Sequence, residues 1–222
     1  MFRIFGPPGT GKTTTLLDLV DKALESGTPS TEIAFLAFTR KAAREARERA
    51  SRRFGLDPRR DLPYFRTLHS LAFRLTGLTT EQLMSAEHYK ELEKRTGFEL
   101  TGSGGMEEEV TSSIRKESEI LRLITLARLK RTSLQTEYHG TRIRHTWTEV
   151  NYLARSLEKY KKTNALFDYT DMLELFVQKG PQICPHFELC LLDEAQDLSA
   201  IQWEIAHILD RRSEKMYCCG DD

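Results

Sequence analysis

Gly6 to Thr13 reads GPPGTGKT, the spacing G-x-x-x-x-G-K-[ST]. Glycines at positions 6, 9 and 11 allow a tight wrap in which backbone N–H groups point at phosphate oxygens. A helix starting at Lys12 adds its positive end to the same anion. In such a loop the Lys12 ammonium reaches the β- and γ-phosphates, and the Thr13 hydroxyl is a ligand for Mg²⁺. Gly6, Pro7, Pro8, Gly9, Thr10, Gly11, Lys12, Thr13 and Thr14 are therefore the expected nucleotide contacts. A loop of this kind also needs an acid at the end of another parallel strand. FELCLLDEAQD, from Phe187 to Asp197, supplies it. Asp193 falls at the carboxyl end of an apolar strand, where α/β sheets place their ligands, and is expected to hold the metal and its water shell. Glu194 follows and is expected to orient and deprotonate an attacking water. An acidic pair after a strand is commonly just a helix start; in a chain with a phosphate loop it points to hydrolysis of a nucleoside triphosphate.

These residues must be positioned by regular elements. Phe2–Phe5 reads as a strand entering the loop, and Lys12–Glu25 as a helix with Leu16, Leu17, Leu19, Val20 and Ala23 on one stripe. Ile33–Phe38 is a continuous apolar run, as in a strand buried on both faces. Arg40–Phe54 reads as a helix, Pro63–Thr67 as a short strand, and a further helix starts near Ser70. From residue 79 to 163 helical patterns dominate, over Ala86–Arg95, Thr111–Arg131 and Thr146–Lys162, with a loop at Leu100–Gly105. Tyr169–Val177 is an expected helix, Phe187–Leu192 a strand, Ser199–Leu209 a helix and Lys215–Cys219 a strand. Strands alternating with helices imply an α/β fold with a parallel sheet, interrupted by an α-helical insertion.

Composition sets outer bounds. Lys+Arg and Asp+Glu are both 33 in 222 residues, so the net charge is zero, yet the charge is not evenly spread. Arg40–Arg66 holds ten basic residues against four acidic ones, whereas His186–Asp222 holds nine acids against three basic residues. Local patches of this kind either solvate helix faces or bind partners. No apolar run approaches the roughly 20 residues of a membrane span, and no signal peptide is evident. Cys184, Cys190, Cys218 and Cys219 form no C-x-x-C pair and read as buried reduced thiols of a cytosolic protein.

Five segments in order resemble the UvrD/Rep-like superfamily 1 helicases, over nearly the whole chain. GPPGTGKT looks like their motif I and LAFTRKAAREARERA (Leu36–Ala50) like motif Ia, with Arg40 where the family usually has Asn. RTLHSLAFRL (Arg66–Leu75) is similar to the T-x-H-S-x-x-x-R signature. LFDYTDML (Leu166–Leu173) resembles the element closing the helical 1B insertion, and LLDEAQD (Leu191–Asp197) the D-E-x-Q-D motif II. The resemblance implies a RecA-like P-loop NTPase fold. Residues 1–78 and 164–222 form a 1A domain, incomplete in its second part, and residues 79–163 form the 1B insertion. It also implies ATP and Mg²⁺ as cofactors, movement along single-stranded DNA or at a single-strand/duplex junction with 3′ to 5′ polarity, and a monomer in the cytoplasm, nucleoid-associated or in a host's cytoplasm if phage-encoded.

On that resemblance Gln196 senses the γ-phosphate or the water and completes a catalytic set with Lys12 and Glu194. Thr39, Arg40, Thr67, His69 and Ser70 meet DNA phosphates at strand ends, and Tyr64 and Tyr169 are stacking platforms, with core packing as the plain alternative for the aromatics. Two departures concern the base: no glutamine precedes Gly6, and Thr14 stands where many members carry an arginine. The choice of ATP over other triphosphates thus rests on the resemblance. Gly220-Asp221 looks like the opening of a further motif, G-D-x-x-Q, whose glutamine would lie beyond Asp222. On this reading the chain is a fragment without that glutamine and without a second RecA-like domain (2A/2B), and turns over negligibly by itself. A nucleotide-dependent DNA-binding or regulatory module that does not unwind is the competing expectation.

Overall fold

A computed structural model describes residues 1–7, 9–100 and 118–221. Pro8 and Asp222, most of the expected Leu100–Gly105 loop and the first turns of the expected Thr111–Arg131 helix lie outside the described residues. The chain forms two compact units: Met1–Thr76 with Leu175–Asp222, and Gly77–Glu174.

The first unit is built on five parallel strands: β1 Phe2–Phe5, β2 Ile33–Ala37, β3 Phe65–Thr67, β4 Phe187–Leu192 and β5 Ser213–Gly220. Their order across the sheet is β1-β5-β4-β2-β3. All five residues of β2 are buried, as an apolar run must be when helices cover both faces. Helix α1 (Lys12–Glu25) lays Leu16, Leu17 and Val20 against the sheet, and α2 (Arg40–Phe54) does so with Ala43, Ala46 and Ala50. Small alanines let α2 approach closely, while its Arg49 and Arg53 face α1. There Arg49 pairs with Asp18 at 3.2 Å and Arg53 with Glu25 at 3.0 Å; Arg53 also pairs with the buried Asp21. Helices α3 (Leu68–Thr76) and α9 (Ala200–Arg211) and the end of α8 (Tyr169–Ile183) complete this unit.

Register decides where the strands end. Ala37 pairs with Thr67, Leu36 with Leu192, Leu192 with Cys218, and Phe5 with Gly220. The five carboxyl ends therefore lie along one edge of the sheet. The loop after β1, Thr39 after β2, the Thr67–Ser70 turn after β3, Asp193 after β4 and Asp221 after β5 all emerge there.

Two elements run further than the sequence pattern indicates. Helix α8 continues past Val177 to Ile183, through Gly180 and Pro181. The glycine suits a crowded place, since a Cβ there would sit 3.2 Å from the Phe176 ring and 3.3 Å from Ile208. Strand β5 begins at Ser213 because its partner β4 offers a ladder that far, Phe187 pairing with Ser213.

The second unit is helical: α4 (Ala86–Thr96), α5 (Glu119–Leu129), α6 (Leu134–Gly140), α7 (Trp147–Asn164) and the first turns of α8. Its core joins Leu92, Ile120, Leu123, Val150, Leu153 and Leu157. Helix α6 has no apolar periodicity to announce it; Ser133 starts it by accepting from the Thr136 N–H at 3.0 Å. Met84 donates to the Phe167 carbonyl at 2.9 Å and Phe167 to that of Gln82 at 2.8 Å, so the strands of chain entering and leaving this unit are bound together.

Asp168 and Asp171 of LFDYTDML anchor the start of α8. Each accepts the other's backbone N–H at 2.8 Å. The Arg128 guanidinium grips Asp168 at 2.9 and 3.1 Å, Asp171 at 2.5 Å and Glu174 at 3.0 Å, and Lys161 reaches both aspartates at 2.5 and 2.6 Å. Burial opposes ionisation of Asp168, but Lys161 and Arg128 outweigh it and hold the carboxyl at about 2. A carboxyl held below its ordinary 3.8 stabilises the fold above that value, and the contribution is lost as pH falls through about 2. Arg128→Ala is expected to cost roughly 3 kcal/mol, because breaking one partner strands a buried charge. Urea unfolding near pH 7 and about pH 3 checks this: the variant should lose less of its stability between them than the parent, because without Arg128 the Asp168 carboxyl titrates nearer its unfolded value. Identical curves would refute the assignment.

Candidate active site

The loop after β1 is shaped by its glycines. Gly9 and Gly11 have φ of 83° and 82°, a region that side-chain-bearing residues avoid. Thr10 closes the turn by donating its hydroxyl to the Pro7 carbonyl at 2.8 Å. Helix α1 starts directly from Gly11, so its first N–H groups face the loop's concavity. Gly9, Thr10 and Gly11 are exposed, which leaves those donors accessible to an anion.

Lys12 folds back over this loop. Its Nζ donates to the Gly6 carbonyl at 2.5 Å, to that of Pro7 at 3.1 Å, and to Asp221 Oδ1 at 2.5 Å. The hydrogen bond to Asp221 raises the Lys12 pKa above its ordinary value, against an opposing effect of burial. Thr13, the next residue, donates its hydroxyl to Asp193 Oδ2 at 2.9 Å. Asp193 is 2% exposed, and its backbone N–H donates to the Leu36 carbonyl of β2 at 2.8 Å. Burial pushes its carboxyl above the ordinary range.

Glu194 turns the chain sharply. Its φ of 56° and ψ of 46° are left-handed, uncommon for a residue with a side chain. The strained turn lets its N–H donate to Asp193 Oδ1 at 3.1 Å while its carboxylate accepts from Gln196 Nε2 at 2.5 Å. Gln196 Oε1 in turn accepts the Asp221 N–H at 3.2 Å. The amide orientation is dictated by its neighbours, because a carboxylate only accepts and a peptide N–H only donates. A ring results: Lys12, Asp221, Gln196, Glu194, Asp193, Thr13, and back to Lys12 through the chain. Gly220 is tight against it, a Cβ there falling 3.1 Å from Gln196 Oε1.

The donor set facing the loop fits Mg²⁺. Thr13 Oγ1 and the Asp193 carboxylate are hard oxygens, and a divalent cation would offset the burial that disfavours the Asp193 anion. The thiols have no place in this chemistry. All four cysteines are free and buried, and burial lifts Cys219, beside the loop, to about 12.

The residues expected to meet nucleic acid divide between the units. Thr39 caps α2, its Oγ1 accepting from Ala42 at 3.2 Å, and Arg40 beside it is exposed. Thr67 caps α3 in the same way through the Ser70 N–H at 3.2 Å. In both caps the hydroxyl accepts and keeps its own proton to donate. His69 is neutral at physiological pH because burial lowers it to about 4. Ser70 accepts from the Arg66 guanidinium at 3.3 Å through both its carbonyl and its hydroxyl. The Tyr64 ring, half-buried, meets Phe187 edge-on with centroids 5.0 Å apart. Phe65 is buried and stacks on Phe35, so it belongs to the core. Tyr169 lies in the helical unit, on the first turn of α8. Asp221, which the sequence marks only as part of the opening of a further motif, becomes a site residue through its pair with Lys12, a partner that no local pattern announces.

A family model described as the UvrD/REP helicase N-terminal domain matches residues 2–222. The chain is 27% identical over 232 aligned residues to the putative ATP-dependent DNA helicase YjcD of Bacillus subtilis (strain 168), covering 96% of this chain and 29% of that protein. It is 25% identical to the ATP-dependent DNA helicase PcrA of Leuconostoc citreum, covering 98% of this chain and 30% of that one. The chain thus spans about three-tenths of the length of these curated relatives.

Asp221 occupies the Lys12 ammonium that a phosphate would engage. Asp221→Ala should therefore bind nucleotide about threefold tighter or more in the absence of divalent metal, as read by titration with a fluorescent nucleotide. Weaker or unchanged binding would show that the pair does not compete with phosphate.

Proposed function

Since the chain belongs to the UvrD/REP helicase N-terminal domain family, we propose that it is the ATP-hydrolysing part of a DNA helicase that moves along single-stranded DNA, with 3′ to 5′ polarity. The observation that carries this reading is the 2.9 Å hydrogen bond from Thr13 to Asp193, which joins the phosphate loop to the acidic pair across 180 residues of chain. The glycines and the start of α1 cradle the phosphates, and Lys12 leaves Asp221 to engage the β- and γ-oxygens. Thr13 and Asp193 would hold Mg²⁺, which would supply charge neutralisation on the transferring phosphoryl group. Glu194 positions a water and takes its proton. Gln196 steadies that carboxylate and carries any change at the phosphates to Asp221 and β5.

The nucleic-acid track in this reading follows the same sheet edge. Thr39–Arg40 and Thr67–Ser70 each present a helix start and a capping hydroxyl with a proton to donate, as suits phosphate oxygens. Neutral His69 serves there as a hydrogen-bonding group. Among the described residues no arginine bonds to Lys12, Asp193 or Glu194. A charge clamp on the transition state is commonly worth 10³-fold or more. The chain by itself is therefore expected to turn over slowly, and arginines from a second RecA-like domain are the expected supplement.

Steady-state hydrolysis with and without oligothymidylate tests the assignment. Glu194→Gln should lower kcat by about 10²–10⁴-fold while keeping nucleotide affinity, the range for loss of a general base. Lys12→Ala should instead lose nucleotide affinity as well as turnover. DNA-stimulated hydrolysis by the Glu194→Gln protein at the parent's rate would overturn the role of Glu194.

A further inference from the structure

The basic stretch of α2 and β3 is not uniform in its partners. Arg49 and Arg53 are matched by acids of α1, Arg44 by Glu48 and Arg60 by Asp61. Arg47 and Arg66 have no carboxylate partner among the described residues, and the Nε of each is buried with no hydrogen-bond partner. A buried guanidinium N–H without an acceptor is costly, and native proteins seldom leave one so. Two of them in the same place call for a ligand that accepts.

These arginines converge. Arg66 lies on the edge strand β3, α2 with Arg47 packs on that strand, and α3 with Arg74 follows it directly. Burial lowers the Arg66 pKa, and the charges of Arg74 and Arg47 lower it further; among its neighbours only Tyr64 acts the other way. Three cations stand together with no compensating carboxylate among the described residues. The Arg74 guanidinium lies over the Tyr64 ring, 6.0 Å from its centroid, and Arg66 is already bonded to Ser70 of the β3–α3 turn.

We propose that Arg47, Arg66 and Arg74, with the Tyr64 ring beside them, form a phosphodiester site that holds one nucleotide unit of a bound single strand at the outer edge of β3. Guanidinium forks match phosphate oxygens two at a time, and an aromatic face beside them accepts the neighbouring base. That pairing of cation and ring suits a nucleotide unit better than a bare phosphate ion. The inference rests on the nucleic-acid reading above and extends its track beyond the Thr67–Ser70 turn.

Anisotropy titrations of labelled oligothymidylate over a range of salt test it. The double variant Arg47→Gln/Arg74→Gln should bind about tenfold more weakly, and the slope of log affinity against log salt should shrink by about 0.7 for each phosphate that is no longer neutralised. Arg211→Gln removes one positive charge outside the basic stretch and should change neither. The same double variant removes the repulsion on Arg66, so its unfolding midpoint at low salt should equal or exceed the parent's, which separates loss of binding from loss of fold. If the parent binds the oligonucleotide and the double variant matches it in affinity and slope, the site is refuted and the nucleic-acid reading stands. If the parent itself does not bind, both fall. If millimolar inorganic phosphate raises the parent's unfolding midpoint but not the double variant's, while oligonucleotide affinity is the same for both, the site serves a free ion and the proposal is overturned.

Discussion

The parallel, in-register sheet is the constraint on which everything else in the first unit depends. A parallel ladder sends every strand out at the same edge, and pairings such as Leu36 with Leu192 and Phe5 with Gly220 align those exits to within a residue or two. Residues far apart in the chain are thereby delivered to a common line. The ring from Lys12 through Asp221, Gln196, Glu194 and Asp193 to Thr13 is possible only because β1, β5 and β4 are neighbours in that order. A one-residue slip of β4 would turn Asp193 to the opposite face and leave Thr13 without its acceptor. Burial of β2 and β4 between helices makes such a slip costly, so the apolar core and the chemistry are secured by the same contacts.

Charge is handled in three ways in this molecule, each suited to a different end. In the helical unit, Arg128 and Lys161 are locked to Asp168, Asp171 and Glu174, and every member has a partner. That arrangement holds the start of α8 and has nothing left to offer a ligand. At the glycine loop after β1, Lys12 has a partner in Asp221 that a bound phosphate would displace. At the edge of β3, the buried Nε groups of Arg47 and Arg66 have no partner among the described residues. The progression from satisfied through exchangeable to unsatisfied is one from structure to function, since only the latter two gain by meeting an anion. A net charge of zero conceals all of this, because it sums over groups whose neighbours differ.

Much of the local structure was legible in the residue order. The strands at Phe2–Phe5 and Phe187–Leu192 and the helices at Lys12–Glu25 and Arg40–Phe54 stand where the apolar patterns put them. Those elements have strong signals: unbroken β-rich runs, or an apolar stripe between a glycine and a cap. Helix α6 was not legible, because LQTEYHG has no stripe and is held by its cap and its neighbours. The extension of α8 through Gly180 and Pro181 was hidden for the opposite reason: both residues are breakers locally, and packing against Phe176 and Ile208 overrides them.

From the residue order alone came the phosphate loop, the acidic pair and the parallel α/β class, since each depends on residue types at short fixed spacings. Glycines at 9 and 11 are demanded by backbone geometry, and Asp193 is marked by the apolar run before it. Tertiary structure decided which of these meet. The match of Lys12 with Asp221, the bridging role of Gln196, the buried grip of Arg128 on the LFDYTDML aspartates, and the lack of an acid beside Arg47 and Arg66 among the described residues were settled by strand order and helix packing. Sequence spacing records what a residue can do within a turn or a strand. Partners 180 or 209 residues away are chosen by the sheet, which no local pattern encodes.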